Sequence, residues 1–132
     1  MEAQEIFDTV ATHLLKQGRR AVNPDIPHMC HYRGANGTKC AVGVLIPDEA
    51  YDPMMEGRTA VGLVNDSTFE IPKWMAKNAT LLAWLQNVHD TEVHWRDSAT
   101  MKEALSEVAK ESSLTSEVLE ELAFPWESKE VI

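Results

Sequence analysis

The sequence has few cysteines, few basic residues and no long apolar run. Its only cysteines are Cys30 and Cys40, whereas a secreted domain of this size that depends on disulfides carries roughly four or more. We therefore predict that both thiols are reduced. No stretch approaches the about 18 consecutive apolar residues of a membrane-spanning helix. The first residues are acidic and polar, unlike a signal peptide. These absences predict a cytoplasmic protein that does not bind membranes.

Basic residues are outnumbered throughout the chain. Lysine and arginine number 12 against 21 aspartates and glutamates, a formal net charge of -9. Phosphate backbones and anionic lipids repel such a chain, so non-specific binding of nucleic acid is not expected. The acidic excess is greatest after residue 98, where eight glutamates accompany three lysines. This run predicts a solvated helical face, with contact to a basic partner as the alternative.

The familiar signatures of enzymes are also missing. The chain contains no phosphate-binding P-loop, no dinucleotide glycine motif, no nucleophile elbow and no His-Glu-x-x-His pair. Because no complete catalytic set is present, the sequence predicts a binding protein without a cofactor. Its length of 132 residues and hydrophobic fraction of 44% fit one domain over residues 1–132, with a tail expected to fray from about residue 127.

Apolar residues recur at helical spacing through most of the chain. From Ile6 to Leu14 they return every three or four positions, and Gly18 is the expected C-cap. Thr100 and Glu103 form a capping-box pattern. The predicted helices cover residues 3–17, 59–64, 72–89 and 100–112, with a last short helix capped by Thr115.

The clearest strand signal lies in the first half of the chain. Residues 29–33 and 38–42 flank a short glycine-bounded loop that contains Asn36 and Gly37. Both residues tolerate a positive φ, as a tight hairpin requires. We therefore predict an α+β fold, with a β-hairpin or small antiparallel sheet over residues 29–46 packed against three to four helices.

Four side chains of the kinds that bind zinc lie within this hairpin region: His28, Cys30, His31 and Cys40. Their spacing does not match the close cysteine pairs of structural zinc sites. Strand alternation would also send Cys30 and His31 to opposite faces. The sequence therefore predicts two packed thiols and no metal.

An adjacent histidine and aspartate, His89 and Asp90, close the longest predicted helix. Such a pair occurs in metal-dependent phosphohydrolases, where it acts together with further ligands from other helices. The alternative is structural, because histidine is favoured near a helix C-terminus and aspartate caps the next turn.

The segment from Asp48 to Gly57 interleaves acids with Tyr, Met and Pro. Aromatic residues and methionine are enriched at protein interfaces, and long connectors often carry function. Tyr51 is the expected anchor. The residues predicted to contact a partner are Tyr51, Asp48, Asp52, Met55 and Glu56.

One block of sequence is distinctive. It comprises Cys30-x-Tyr32-Arg33, then residues 37–43 (Gly-Thr-Lys-Cys-Ala-Val-Gly), then Leu45-Ile46-Pro47-Asp48, Tyr51-Asp52-Pro53 and Met55-Glu56-Gly57. With residues 3–8 and 85–90, it resembles a family of small, mostly uncharacterised proteins of tailed phages and prophages over about the first ninety residues. No activity comes with the family, so the resemblance implies context alone. Small acidic phage proteins outside the virion often block a host protein or sequester a host defence signal.

The leading hypothesis is an accessory phage protein that binds and blocks a host defence protein through residues 48–57. The second is a sponge for a small nucleotide-like host signal. The third is a metal-dependent hydrolase that uses His89 and Asp90. The pocket predicted for the second hypothesis combines Tyr32, Arg33, Lys39, Trp84, His89 and Asp90.

Overall fold

The computed structural model describes residues 1–121. In chain order, its α-helices are α1 (Ala3–Gln17), α2 (Ala60–Val64), α3 (Lys73–Lys77), α4 (Ala79–Asp90), α5 (Ser98–Glu111) and α6 (Val118–Glu121). Short 3₁₀ turns cover Ala35–Gly37, Gly43–Leu45, Pro53–Met55 and Glu92–Trp95. None of the helices in the described part has the length and apolarity needed to cross a membrane. The tail predicted to fray lies outside the described residues.

Helix α1 spans the residues that the sequence predicts. Its apolar stripe is completely buried, and each large aliphatic side chain removed from water contributes about 1.5–3 kcal/mol. At its start, Glu2 N–H donates to Oε1 of Glu5 at 3.1 Å, which satisfies one unpaired helix donor. Gly18 ends the helix in the left-handed conformation, with φ 70°. The prediction of this helix and its cap is confirmed.

Helix α1 also packs against several other elements. It contacts α4, α5, α6 and the Gly43–Leu45 turn. The Gln4 side chain binds both backbone groups of Thr115, donating to its carbonyl at 3.0 Å and accepting from its N–H at 2.9 Å. These two bonds fasten the connection between α5 and α6 to the start of the chain.

The single helix predicted from Pro72 to about His89 is in fact two helices, α3 and α4. Asn78 separates them, with φ -116° and ψ 28°. Its Nδ2 donates to the Trp74 carbonyl at 2.8 Å. Asparagine disfavours a helix interior because its side chain competes for backbone hydrogen bonds in this way.

Helix α5 begins earlier than predicted. Asp97, rather than Thr100, is the N-cap, because its Oδ1 accepts the Thr100 N–H at 2.7 Å. Hydrogen bonds from the Thr100 hydroxyl and N–H lower the pKa of Asp97. The predicted capping box at Thr100 and Glu103 is therefore wrong by one turn.

The prediction of an α+β fold with a hairpin or sheet is wrong. Within residues 1–121 there is no sheet, and extended pairing is limited to two isolated antiparallel bridges, Val22 with Cys30 and Arg33 with Lys39. The run from residue 41 to 46 contains the 3₁₀ turn Gly43–Leu45 and no strand. The described chain is a helical fold with an irregular segment over residues 18–58.

Several backbone donors of the expected hairpin are used elsewhere, and only Gly34 N–H and Cys40 N–H donate across it. Tyr32 N–H and Arg33 N–H donate to the two carboxylate oxygens of Glu56 at 2.8 and 3.1 Å. His31 N–H and Ala35 N–H donate to the carbonyls of residues 21 and 22, both at 2.9 Å. Since buried backbone donors must be paired, these bonds replace a strand ladder.

Gly43 allows two backbone segments to cross. A Cβ placed on Gly43 would lie 2.0 Å from the Tyr32 carbonyl oxygen, far closer than atoms can approach. The glycine therefore sits where residue 43 passes directly over residue 32. This crossing, in place of a hairpin, brings residues 28–32 beside α4.

Candidate functional site

Three segments enclose a cleft of about 670 Å³, within the size range of small-molecule sites. We call it the Asp90 cleft. One wall is the crossing segment, with His28, Cys30 and His31, and a second wall is residues 57–61. Helix α4 closes the third side. Cys40, the fourth side chain of a zinc-binding type in this region, lies instead in the core, as a packed thiol. The complete lining is His28, Cys30, His31, Tyr32, Gly57, Arg58, Thr59, Ala60, Val61, Ala83, Gln86, Asn87 and Asp90.

His89 lies fully buried behind the cleft. Its Nε2 accepts a hydrogen bond from Ala21 N–H at 2.9 Å. Because a backbone N–H can only donate, Nε2 carries no proton and the neutral ring holds its proton on Nδ1, 2.8 Å from Oδ1 of Asp90. The His89 carbonyl accepts from Nε1 of Trp95 at 2.7 Å. His89 therefore ties together residue 21, Asp90 and Trp95.

Asp90 presents a fixed carboxylate to the cleft. Its Oδ1 accepts from Nδ1 of His89 and also from Nε2 of Gln86, at 2.8 and 2.9 Å. Gln86 is itself held, because its Oε1 accepts the Val42 N–H at 3.1 Å. The Asp90 side chain remains 44% exposed. Two protein donors thus orient the carboxylate, while its remaining acceptor capacity is open to solvent or a ligand.

The half-buried thiol of Cys30 lies beside this carboxylate. Burial, and then the negative charge of Asp90, raise the pKa of Cys30 to about 11. A thiol with that pKa is protonated at neutral pH and is a poor nucleophile. His89 cannot activate it, because Nε2 is engaged by Ala21 and Nδ1 by Asp90. The cysteine, histidine and aspartate do not form a catalytic triad.

The same three side chains are the candidate for a metal site in the described residues. Three ligand atoms, one each from Cys30, His89 and Asp90, lie within 4.8 Å of one another. Zinc accepts this set of donors. A metal-bound imidazole normally donates its other N–H, but Nε2 here accepts from Ala21 N–H. Metal binding at Nδ1 would require a proton on Nε2 and would break that bond. The cluster does not fit a metal, so the geometry does not support the hydrolase hypothesis.

The two thiols give a direct chemical test of this arrangement. We expect Cys30 to react slowly with iodoacetamide at neutral pH, and Cys40, 0% exposed with a pKa of about 12, to react only after unfolding. Asp90→Asn removes the adjacent negative charge, so it should speed the alkylation of Cys30 about threefold or more. Mass spectrometry of the labelled peptides measures both rates.

The control is Glu49→Gln, which removes one charge from an exposed position outside the cleft and should leave the alkylation rate unchanged. Fast alkylation of Cys30 at neutral pH, insensitive to Asp90→Asn, would contradict the geometry.

The same two thiols should make the stability of the fold depend on pH. Because folding raises both thiol pKa values above 9.0, the folded chain holds these protons more tightly. The free energy of unfolding should therefore fall as the pH rises from about 9 to 11.

The wall formed by residues 57–61 combines a cation with an apolar surface. Arg58 is anchored by an ion pair to Asp66 at 2.7 Å and lies over the Phe69 ring, 5.1 Å from its centroid. Tyr32 reaches this wall from the crossing segment, donating its hydroxyl hydrogen to the Arg58 carbonyl. Ala60 and Val61 complete the wall with apolar side chains. The cleft thus has the Asp90 carboxylate on one side and, opposite it, a wall whose arginine is already paired with Asp66.

The loop predicted as a protein-contact site, residues 48–57, is held by its own side chains. Glu56 accepts from the Tyr51 hydroxyl at 2.6 Å as well as from two backbone N–H groups. Arg33 stacks over the Tyr51 ring, 4.9 Å from its centroid, and pairs with Asp48 at 2.8 Å. Burial, and then the hydrogen bond to Glu56, raise the pKa of Tyr51. Tyr51 and Glu56 are therefore engaged within the fold.

The remaining loop residues differ in their exposure. Met55 is 0% exposed and belongs to the core, so it is not available to a partner. Asp52 is exposed and caps the 3₁₀ turn by accepting the Met54 N–H at 2.8 Å. Met54 is 69% exposed. The apolar side chain that this loop presents to solvent is thus Met54, whereas the sequence analysis named its buried neighbour Met55.

The predicted ligand-pocket residues are only partly brought together. Tyr32 and Asp90 line the Asp90 cleft, and His89 lies behind it. Arg33 and Lys39 instead both reach Asp48, at 2.8 and 3.5 Å, and Trp84 is a 40% exposed residue of α4 outside the lining. Sequence reasoning missed Gln86, although its spacing of four residues from Asp90 on a helix is a usable signal.

The chain matches no protein-family model, no curated protein and no solved structure. The resemblance of its first ninety residues to a tailed-phage family stays a prediction. Function is therefore inferred from the geometry of the cleft.

Proposed function

We propose that this protein binds a small nucleotide-like molecule in the Asp90 cleft and sequesters it without chemical turnover. The observation that carries the proposal is the orientation of Asp90. Two donors, from Gln86 and His89, fix one oxygen of its carboxylate at the edge of a cleft of about 670 Å³. A concave site with a precisely placed polar group that fixes the ligand's orientation is typical of small-molecule binding.

The chemistry of the lining favours a flat heterocycle with amino groups. An oriented carboxylate accepts N–H donors, and a charge-assisted bond of this kind contributes about 1.5–3 kcal/mol. Ala60, Val61 and Ala83 offer apolar surface to the face of a ring. A nucleobase combines these two properties, since it has an apolar face and an amino edge.

Sequestration fits the site better than catalysis. The Cys30 thiol is protonated at neutral pH because its pKa is raised to about 11. Both ring nitrogens of His89 are engaged in hydrogen bonds within the fold. Neither the thiol nor this imidazole is therefore placed to take a proton from a bound molecule. The tailed-phage resemblance makes a host signalling molecule the natural ligand class for such a sponge.

Nucleosides with and without an amino group test the proposed contact. Adenosine, guanosine or cytidine should raise the melting temperature and bind by calorimetry, while uridine, which lacks an amino group, should bind about tenfold more weakly. Asp90→Asn should remove this preference and lower the affinity for the most tightly bound nucleoside by about tenfold or more.

Glu49→Gln is the matched control, because it makes the same charge change at an exposed site outside the cleft. A second variant, Val61→Trp, fills the cleft from a side chain that is 46% exposed and so should block binding without disturbing the core. Failure of all four nucleosides to bind, or binding that ignores both cleft variants, would rule out the proposed ligand class.

The second candidate function is contact with a host protein through residues 48–57. It is favoured by the 69% exposure of Met54 on a loop that Glu56 holds in one shape. A fixed loop loses little entropy when it binds, and methionine adapts to varied partner surfaces. In this arrangement Met54 replaces Tyr51 as the side chain that a partner would contact first.

A further inference from the structure

A second cleft, of about 530 Å³, lies between the end of α1 and the Glu92–Trp95 turn. We call it the arginine cleft. It lies outside the proposed nucleoside site and shares no lining residue with the Asp90 cleft. Its side chains are those of Arg19, Arg20, Arg96, Glu92, Val93 and Trp95.

Positive charge is concentrated here against the trend of the chain. Three of the 12 basic residues of a chain with net charge -9 line one cleft, and the lining itself includes a single carboxylate, that of Glu92. Within residues 1–121, neither Arg19 nor Arg20 forms an ion pair. Nη1 of Arg20 has the Cys30 sulfur as its hydrogen-bond partner, at 3.9 Å. Most of the donor groups on these two guanidiniums are therefore available.

Compensation of the α1 dipole explains only part of this charge. A helix C-terminus carries about half an elementary negative charge, and Lys16 already lies in the last turn of α1. Arg96 belongs to a different element, next to the start of α5, where its Nε lies 3.4 Å from Asp97 and its Nη2 donates to Thr100 at 3.1 Å. These bonds hold Arg96 at the cleft independently of the C-terminus of α1.

The uncharged part of the lining is apolar and partly rigid. Val93 is 53% exposed. Trp95 is fixed by its hydrogen bond to the His89 carbonyl at 2.7 Å and by an edge contact with the His89 ring, 5.6 Å between centroids. A ligand that combined an anionic group with an apolar or aromatic body would use both kinds of surface.

We propose that the arginine cleft binds a phosphate group carried by a small organic molecule. The planar guanidinium fork matches the oxygens of a phosphate, and the double charge of a phosphate monoester suits several arginines better than a single carboxylate. The proposal does not depend on nucleoside binding at Asp90, because it rests on different residues and a different cleft.

Phenyl phosphate and inorganic phosphate are the probes, titrated into the full chain by calorimetry at low ionic strength, where surface charges are least screened. Phenyl phosphate should bind, and more tightly than inorganic phosphate because Val93 and Trp95 contact its ring. Arg19→Gln combined with Arg96→Gln should weaken it about tenfold or more. Both side chains are exposed, so circular dichroism should show an unchanged fold.

Lys16→Gln is the matched control, since it removes one positive charge from α1 at an exposed residue that does not line the cleft. It should change the affinity less than about twofold. If phenyl phosphate does not bind, or if Lys16→Gln weakens it as much as the double variant does, the arginine cleft is not a phosphate site. If both probes bind equally tightly, the organic group contributes nothing and the cleft binds inorganic phosphate. Should the double variant unfold, Arg19→Gln alone provides the same comparison.

Discussion

Replacing Gly43 with alanine is expected to abolish folding or to lower the free energy of unfolding by more than about 4 kcal/mol. The added Cβ would lie 2.0 Å from the Tyr32 carbonyl oxygen and 2.8 Å from its carbon. Both are backbone atoms, which cannot turn aside as a side chain can. Relief would require separation of the two crossing segments, and that would displace Tyr32 from the wall of the Asp90 cleft. Urea unfolding followed by circular dichroism measures the effect.

Gly37→Ala is the control for this substitution. Gly37 lies a few residues earlier, has φ 74° and has no atom within 4 Å of an added Cβ, so alanine there should cost only about 1–2 kcal/mol of backbone strain. A Gly43→Ala variant as stable as Gly37→Ala would show that residues 32 and 43 do not cross as described.

Glu56→Ala should produce the second large effect, lowering the free energy of unfolding by about 3 kcal/mol or more. The Glu56 carboxylate accepts three hydrogen bonds, from Tyr32 N–H at 2.8 Å, Arg33 N–H at 3.1 Å and the Tyr51 hydroxyl at 2.6 Å. Its removal leaves two backbone donors without a partner, and each unpaired donor costs about 1–3 kcal/mol when it is shielded from water. Chemical denaturation at neutral pH gives the value.

Glu49→Ala serves as the comparison, because it truncates an exposed glutamate of the same loop and should change stability by less than about 0.5 kcal/mol. Glu56→Gln should fall between the two, since its amide keeps one acceptor oxygen but turns an NH₂ group toward a donor. A Glu56→Ala variant as stable as Glu49→Ala would show that the Glu56 carboxylate does not take the place of a strand as the partner of these backbone donors.

Local signals in the sequence predicted local structure well. Helix α1 follows from an apolar stripe and a glycine cap that lie within 18 residues of one another. The turn chemistry around Asn36 and Gly37 was also correctly recognised, since both have positive φ, 60° and 74°. What failed was the inference that strands flank this turn, because strand pairing depends on where the backbone donors find partners.

Those partners are distant in sequence. Glu56 is more than 20 residues from the N–H groups whose hydrogen bonds it accepts, and no periodicity in the sequence indicates that a side chain takes the place of a strand.

The candidate site likewise combines a feature visible in the sequence with a distant contact that is not. His89 and Asp90 were identified as an unusual pair, but the Ala21 N–H that fixes the histidine tautomer comes from 68 positions away. Only the fold shows that the histidine orients the Asp90 carboxylate and that both of its own ring nitrogens are engaged.

An NMR titration of ¹⁵N-labelled protein with guanosine tests most directly whether the Asp90 cleft is the binding site. Guanosine carries amino and ring N–H donors but no phosphate, so the arginine cleft should not respond. We expect the amide shifts to change at residues 30–32, 58–61 and 83–90, and to vanish in Asp90→Asn. Changes confined to residues 48–57, or no changes at millimolar guanosine, would contradict the claim.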